Sequence, residues 1–117
     1  MPVSTITHKG KEIIYIDNSG LAGEALLENM KKGTQAFFDK GSGILAVADF
    51  TMANLSKEVI EYLKNEESKK AAEIADKQAV IGITGIKKMI LNIYNTVSGS
   101  NTKVCSSMEE AKEYLVG

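Results

Sequence analysis

The chain has 117 residues, of which 44% are apolar and 25% charged, and its formal net charge is -1. This length predicts a single domain, 1–117, with a core large enough to be stable without disulfides or a bound metal. The near-neutral charge argues against a dedicated surface for nucleic acid or anionic lipid. One histidine and one cysteine exclude an internal disulfide and a cysteine-based zinc cage. Since no loop has the Asp-x-Asp spacing of a calcium site, we expect neither a metal nor a cofactor.

The N-terminal residues Met-Pro-Val-Ser-Thr lack the basic and apolar regions of a signal peptide. No apolar run in the sequence approaches the length that spans a bilayer. We therefore expect a cytoplasmic protein that does not cross a membrane.

The first half of the chain predicts a hairpin, a helix and a central strand. Residues 3–8 and 12–17 alternate or are β-branched on either side of a short polar turn. Apolar residues then recur at helical spacing over 21–40, where Gly33 either marks close packing or is merely tolerated. The segment 44–50 is apolar on both faces, as expected for a strand covered by helices on each side.

The second half predicts alternating helices and strands. Ser56 is a plausible N-cap, but the charged run that follows leaves open whether 56–77 is one helix or two. A strand over 78–84 leads into a helix over 86–97 with regular apolar spacing. A last strand over 103–105 precedes a final helix opened by a capping box, with Ser at the N-cap and Glu three residues later.

The predicted element order is therefore ββαβαβαβα. Strands that alternate with helices require a mainly parallel sheet with right-handed crossovers. We predict an α/β fold, a single-domain mixed sheet flanked by helices.

Nucleophilic catalysis has little support in this sequence. A catalytic triad needs a base beside the nucleophile, and the only histidine, His8, lies in the first hairpin. Nothing in the sequence connects it to Ser56 or Cys105. The expectation is that the protein is not an enzyme.

The segment Gly82-Ile83-Thr84-Gly85 superficially resembles the GXXG segment of KH nucleic-acid-binding domains. Its β-branched interior is more typical of a strand end, and Gly82 would then let a helix pack closely on the strand. KH-like nucleic-acid binding through Gly82–Gly85 is therefore the third and weakest hypothesis, and we expect no nucleic-acid partner.

Polar residues gather where the predicted strands end. Asp49 and Thr51 follow one strand, Ser56 caps the next helix, and Thr84 and Gly85 follow a neighbouring strand. In open α/β sheets this edge is where ligands and partners bind, and a helix N-terminus there can hold or carry a phosphate. The alternative is that these residues only cap turns and a helix.

Three passages, together with the element order, resemble the SpoIIAA-like, STAS/SEC14 family, which is related to the STAS domains of anti-sigma-factor antagonists. They are Ala48-Asp49-Phe50-Thr51, the segment 80–86 and the tail 104–115. The resemblance implies a non-enzymatic signalling role and a protein partner of the kinase-type anti-sigma-factor class. In phosphoswitch members a serine in an Asp-Ser-Ser-Gly motif is phosphorylated. Here 52–57 reads Met-Ala-Asn-Leu-Ser-Lys, so that motif is absent and phosphorylation of Ser56 stays open.

Two hypotheses follow for the functional site. The first is a docking surface for a partner protein along Asp49–Ser56, formed by Asp49, Thr51, Asn54 and Ser56 with Thr84 and Gly85. The second, implied by the SEC14 resemblance, is a carrier of a small apolar or lipid ligand held between helix and sheet. Its expected lining is Phe37, Phe38, Met52 and Met89. An exposed edge strand would also permit an oligomer.

Overall fold

The computed structural model describes residues 3–83 and 102–117, together with Lys88, Asn92 and Asn95 between them. In chain order, the elements of this part are β1 (Val3–His8), β2 (Lys11–Asp17), α1 (Gly23–Lys40), β3 (Ile44–Asp49), α2 (Lys57–Leu63), α3 (Glu66–Ile74), β4 (Ala75–Ile81), β5 (Lys103–Cys105) and α4 (Met108–Val116). Lys88, Asn92 and Asn95 are helical, as the sequence predicts at these positions. The remainder of the helix predicted over 86–97 lies outside the described residues.

The described strands form one sheet in the order β1-β2-β3-β4-β5. β1 is antiparallel to β2, and every other neighbouring pair is parallel. The predicted α/β fold with a mixed, mainly parallel sheet is confirmed.

The segment predicted as one helix or two is two helices. Asn65 separates them, because its side-chain oxygen accepts a hydrogen bond from the backbone N–H of Ser68 at 2.9 Å and so caps α3. The predicted cap of α2 is also present, since Ser56 Oγ accepts from the N–H of Val59 at 3.4 Å. At α4, Ser107 Oγ accepts from the N–H of Glu110 at 3.2 Å.

β4 begins at Ala75 and ends at Ile81, three residues earlier at each end than the predicted 78–84. Its first residues pair with β3 through an irregular register beside Ile44. Pairing of Ala75 and Lys77 with β3 carries the strand past the polar Asp76, in a segment where the apolar pattern predicts no strand. The strand ends early because Gly82 takes a left-handed backbone conformation, with φ +78°.

Core residues cover both faces of the sheet. On one face, α1, α2 and α3 pack over the sheet through buried side chains that include Leu26, Val59 and Tyr62. On the other face α4 packs over the sheet through Leu115. β3 contributes to both sides, since Val47 and Ile44 are each 0% exposed on opposite faces. The expectation of a central strand buried on both faces is thus confirmed.

Gly33 marks close packing. A Cβ at this position would lie 2.7 Å from Ile16 Cδ1, so the absence of a side chain brings α1 down onto β2. The alternative, a glycine that is merely tolerated, does not fit this distance.

Gly82 also allows a close approach, and its neighbour among the described residues is the turn after β3; the helix that the sequence predicts beyond it lies largely outside the described residues. A Cβ there would lie 2.6 Å from Thr51 Cα and would overlap the backbone nitrogen of Thr51. The chain leaving β4 and the turn that follows β3 are therefore in direct backbone contact.

We predict that Gly82→Ala destabilises the fold far more than Gly10→Ala. Both glycines have nearly the same positive φ, +78° and +80°, but a Cβ at Gly10 has nothing within 4 Å. Gly10→Ala should cost about 1 kcal/mol from backbone conformation alone, whereas the backbone overlap at Gly82 should raise the loss to about 3 kcal/mol or more. Urea unfolding of the two variants measures both values, and equal losses would show that the contact with Thr51 is unimportant.

The hairpin is joined to α4 by charged side chains. Lys9 Nζ lies 2.7 Å from Glu113 Oε2, and His8 Nε2 lies 3.6 Å from Glu113 Oε1. The hydrogen bond from Lys9 is the main cause that holds the pKa of Glu113 below its ordinary value, and the positive charge of Lys9 adds to it.

We predict that Lys9→Gln raises the pKa of Glu113. Because the folded-state pKa of Glu113 is depressed, this contact stabilises the fold above the unfolded-state pKa and is lost as the pH falls through the folded-state pKa. NMR titration of the Glu113 side chain checks the shift. Lys32→Gln, on the exposed side of α1, is the control and should leave the titration of Glu113 unchanged.

Candidate functional site

The carboxyl ends of β2 and β3 carry the same turn. Asp17 Oδ1 accepts hydrogen bonds from the backbone N–H and the hydroxyl of Ser19, at 3.1 and 2.5 Å. Asp49 Oδ1 accepts the equivalent pair from Thr51, at 2.8 and 2.6 Å. Asp17 and Asp49 are register partners in the parallel ladder, so the two turns lie side by side.

Sequence reasoning found Asp49 and Thr51 but missed Asp17 and Ser19. The signal was present, because the same Asp-x-Ser/Thr pattern follows both predicted strands. To predict that the two turns adjoin, one must know that these two strands are neighbours and parallel. Only then do their carboxyl ends lie at one edge of the sheet.

We define the rim as residues 17–22 and 49–56. Backbone hydrogen bonds continue the ladder beyond the strands and hold the two segments of the rim together: Asn18 N–H to Asp49 O at 2.9 Å, Gly20 N–H to Thr51 O at 2.9 Å, and Asn54 N–H to Leu21 O at 3.0 Å. A further bond from the N–H of Phe50 to Ile81 O, at 2.9 Å, ties the rim to β4. The two segments of the rim are therefore held together by backbone hydrogen bonds, as the strands of the sheet are.

Met52 is the most exposed large apolar side chain among the described residues. It is 83% exposed, against 36% for Phe38 and 37% for Val104. Its backbone is left-handed, with φ +60°, which costs a non-glycine residue about 1 kcal/mol. The turn therefore holds an apolar side chain out in water. Because this side chain is so exposed, packing within the chain does not offset the cost of its left-handed backbone.

The remaining rim residues predicted from the sequence have different environments. Asn54 is exposed, whereas Ser56 is half-buried and its hydroxyl caps α2. The structure brings Asp49, Thr51, Asn54 and Ser56 to one edge, as expected. Thr84 and Gly85 lie outside the described residues.

Burial raises the pKa of Tyr15, and the negative charges of Asp17 and Asp49 raise it further. Both carboxylates therefore act on the carboxyl end of β2. The rim combines this negative charge with an exposed apolar side chain.

A cavity of about 110 Å³ lies between the sheet and helices α1, α2 and α3. Its walls are mostly apolar, with Ile16 and Val80 on the sheet side and Met30 and Phe37 on the helix side. One water needs only about 10–15 Å³ of such space, so this cavity is large enough for a small organic molecule.

Three polar side chains in the cavity wall have hydrogen-bond partners within the protein. Tyr62 Oη donates to Thr34 Oγ1 at 2.9 Å, and Thr34 Oγ1 donates to the backbone oxygen of Met30 at 3.2 Å. Asn18 Oδ1 accepts from Asn29 Nδ2 at 2.7 Å. A molecule in this cavity would therefore be held mainly by apolar contact.

Four residues were expected to line an apolar site, and of the three that the structure describes only Phe37 lies in this wall. Phe38 follows it on α1 and points about 100° away around the helix, toward solvent. Met52 faces outward from its left-handed turn. Met89 lies outside the described residues.

The described residues give no support to catalysis by Cys105. This thiol is buried, and its pKa is raised by burial and by the nearby charge of Glu110, so it stays protonated. Among residues 3–83, 102–117 and the three positions between them, no three His, Cys, Asp or Glu side chains are grouped as metal ligands. In the same part of the chain, none of the helices combines the length and apolar character required to cross a bilayer.

The comparisons with known proteins concern the fold. No protein-family model matches the chain, and no curated protein matches it. A solved structure is similar over nearly the whole length: an uncharacterised protein of the DUF3478 family from Shewanella loihica PV-4, described as having a SpoIIAA-like fold. The superposition has a TM-score of 0.71 at 16% sequence identity and covers 97% of this chain and 91% of the other. The resemblance inferred from the three passages is confirmed at the level of the fold, and the chain has a SpoIIAA-like α/β fold.

Proposed function

We propose that this protein is a non-enzymatic binding module that docks a partner protein through the rim. The observation that carries the proposal is Met52, an 83% exposed apolar side chain on a turn fixed by hydrogen bonds to its neighbours. Scattered exposed apolar residues are common and need no explanation. Here, however, a left-handed turn fixed by hydrogen bonds leaves an apolar side chain almost completely exposed. A contact with another molecule explains this arrangement better.

The chemistry around Met52 defines the partner surface. Asp17 and Asp49 give the rim negative charge, and Asn54 adds an exposed amide. A matching surface would offer an apolar pocket for the methionine, flanked by basic or hydrogen-bond-donating groups. Apolar anchors surrounded by a polar border are the usual arrangement of protein interfaces.

The SpoIIAA-like fold supports a protein partner of the kinase-type anti-sigma-factor class, by analogy of fold. Ser56 remains the candidate for regulation, since a phosphate there would place negative charge beside the rim. Its hydroxyl already caps α2, and the Asp-Ser-Ser-Gly motif is absent. The docking proposal therefore does not depend on phosphorylation.

Met52→Asn should weaken binding of the partner without unfolding the protein. Asparagine tolerates the left-handed conformation better than methionine, so stability should be unchanged or slightly higher. Loss of a central apolar anchor should weaken binding about 30-fold. Proteins captured from a lysate by the wild type identify the partner, and titration with the purified partner gives the two affinities.

The matched control is Phe38→Gln, which removes an exposed apolar side chain from α1, away from the rim. It should bind the partner like the wild type. Equal affinity of the wild type and Met52→Asn would refute docking through the rim.

A second function is favoured by the cavity: transport or sensing of a small apolar ligand. The space of about 110 Å³ beneath α1 is several times what one water molecule needs. The walls are mostly apolar, and polar side chains among them are hydrogen-bonded within the protein. The cavity therefore favours an aliphatic or aromatic molecule over a charged one.

We predict that benzene and toluene raise the melting temperature of the wild type by several degrees at saturating concentration. Ala71→Leu should abolish the shift, because Ala71 lines the cavity and the larger side chain would fill it. Ala25→Leu adds the same side chain on the exposed side of α1 and should keep the shift. An absent shift in the wild type, or one that persists in Ala71→Leu, would rule out this site.

A further inference from the structure

β1 is an edge strand without the usual protection. In the described part of the chain it pairs with β2 on one side only, in a continuous register from Val3 to His8. Natural edge strands are protected by short length, by proline, by Lys, Asp or Glu side chains, or by bulges. The opposite edge follows this rule, because β5 is three residues long. β1 spans six residues and contains none of these features.

The hairpin geometry shows which backbone groups of β1 are free. The two-residue turn Lys9-Gly10 has positive φ at both positions, +50° and +80°, as in a type I′ turn. The closing pair, His8 and Lys11, is therefore a hydrogen-bonded pair of the ladder. Since such pairs alternate, Ser4 and Ile6 also bond to β2, whereas Val3, Thr5 and Thr7 direct their N–H and C=O groups outward.

The helices that the structure describes cover the faces of β1, and none of them makes a backbone hydrogen bond to this edge. Val3 packs into the cluster beneath α1, and Ile6 packs into the cluster beneath α4. Within the described ranges, no residue outside β2 makes a backbone hydrogen bond to β1. The outward row of donors and acceptors is thus available for pairing.

We infer that β1 pairs antiparallel with β1 of a second copy of this chain, with the two-fold axis at Thr5. Thr5 then lies opposite Thr5 of the second copy, and Val3 lies opposite Thr7. Each of these facing pairs exchanges two backbone hydrogen bonds, so every outward group from Val3 to Thr7 is satisfied. The contact is isologous, as two-fold dimers require, and the sheet continues through both copies.

The side chains of β1 favour a second copy in this orientation. The residues whose backbone groups point outward, Val3, Thr5 and Thr7, are all β-branched and uncharged. Antiparallel pairing sets threonine opposite threonine at the two-fold axis and valine opposite threonine on either side, and no like charges face each other. Facing threonines form a favourable cross-strand pair.

The test compares Thr5→Pro with Thr5→Val by sedimentation equilibrium over a range of protein concentrations. Proline removes an N–H that points away from β2, so the β1–β2 ladder stays intact and an edge strand tolerates the substitution. It should raise the dimer dissociation constant at least about tenfold, because both central bonds are lost. Valine keeps the N–H and should dimerise like the wild type.

Amide hydrogen exchange of the wild type tests the same inference without a variant. Ser4, Ile6 and His8 should be protected at every protein concentration, whereas Val3, Thr5 and Thr7 should become protected only where the dimer forms. A wild type that is monomeric throughout, a dimer that persists unchanged in Thr5→Pro, or outward amides that exchange rapidly in the dimer would each overturn the inference.

Discussion

The parallel register of β2 and β3 is the constraint on which the candidate site depends. It sets Asp17 opposite Asp49, so each strand ends in the same carboxylate-bonded turn and the two turns adjoin. Gly82 then lets the chain after β4 pass against the backbone of Thr51. A shift of this register by one residue would separate the turns and send each strand's side chains to the opposite face. The position of Met52 follows from these contacts.

The rim and the cavity adjoin each other. The rim is made by strand ends and carries charge and one exposed apolar group. The cavity lies beneath α1, where Gly33 brings the helix onto Ile16 while the walls around it leave space. Asn18, Phe50 and Leu55 belong to the rim and also line the cavity. A molecule that filled the cavity would therefore contact residues whose backbone helps to fix the rim.

The sequence predicted those parts of the fold that depend on local periodicity and caps. The hairpin, α1, β3 and the caps at Ser56 and Ser107 all have signals within a few residues. The start of β4 has no such signal, because Ala75 and Lys77 join the sheet through pairing with β3 on either side of the unpaired Asp76. Likewise, the choice between Phe37 and Phe38 depended on which side of α1 meets the sheet. The adjacency of Asp17 and Asp49 and the existence of the cavity are properties of strand order and helix placement, so no local pattern encodes them.

The backbone bonds that extend the ladder past β2 and β3 have a thermodynamic consequence for recognition. Loops that bind partners commonly lose conformational entropy on binding, which lowers affinity. In this rim, the bonds from Asn18, Gly20 and Asn54 restrict the loops during folding, before any partner arrives. Association at the rim would then show little ordering entropy, and its strength would depend on the complementarity of the two surfaces.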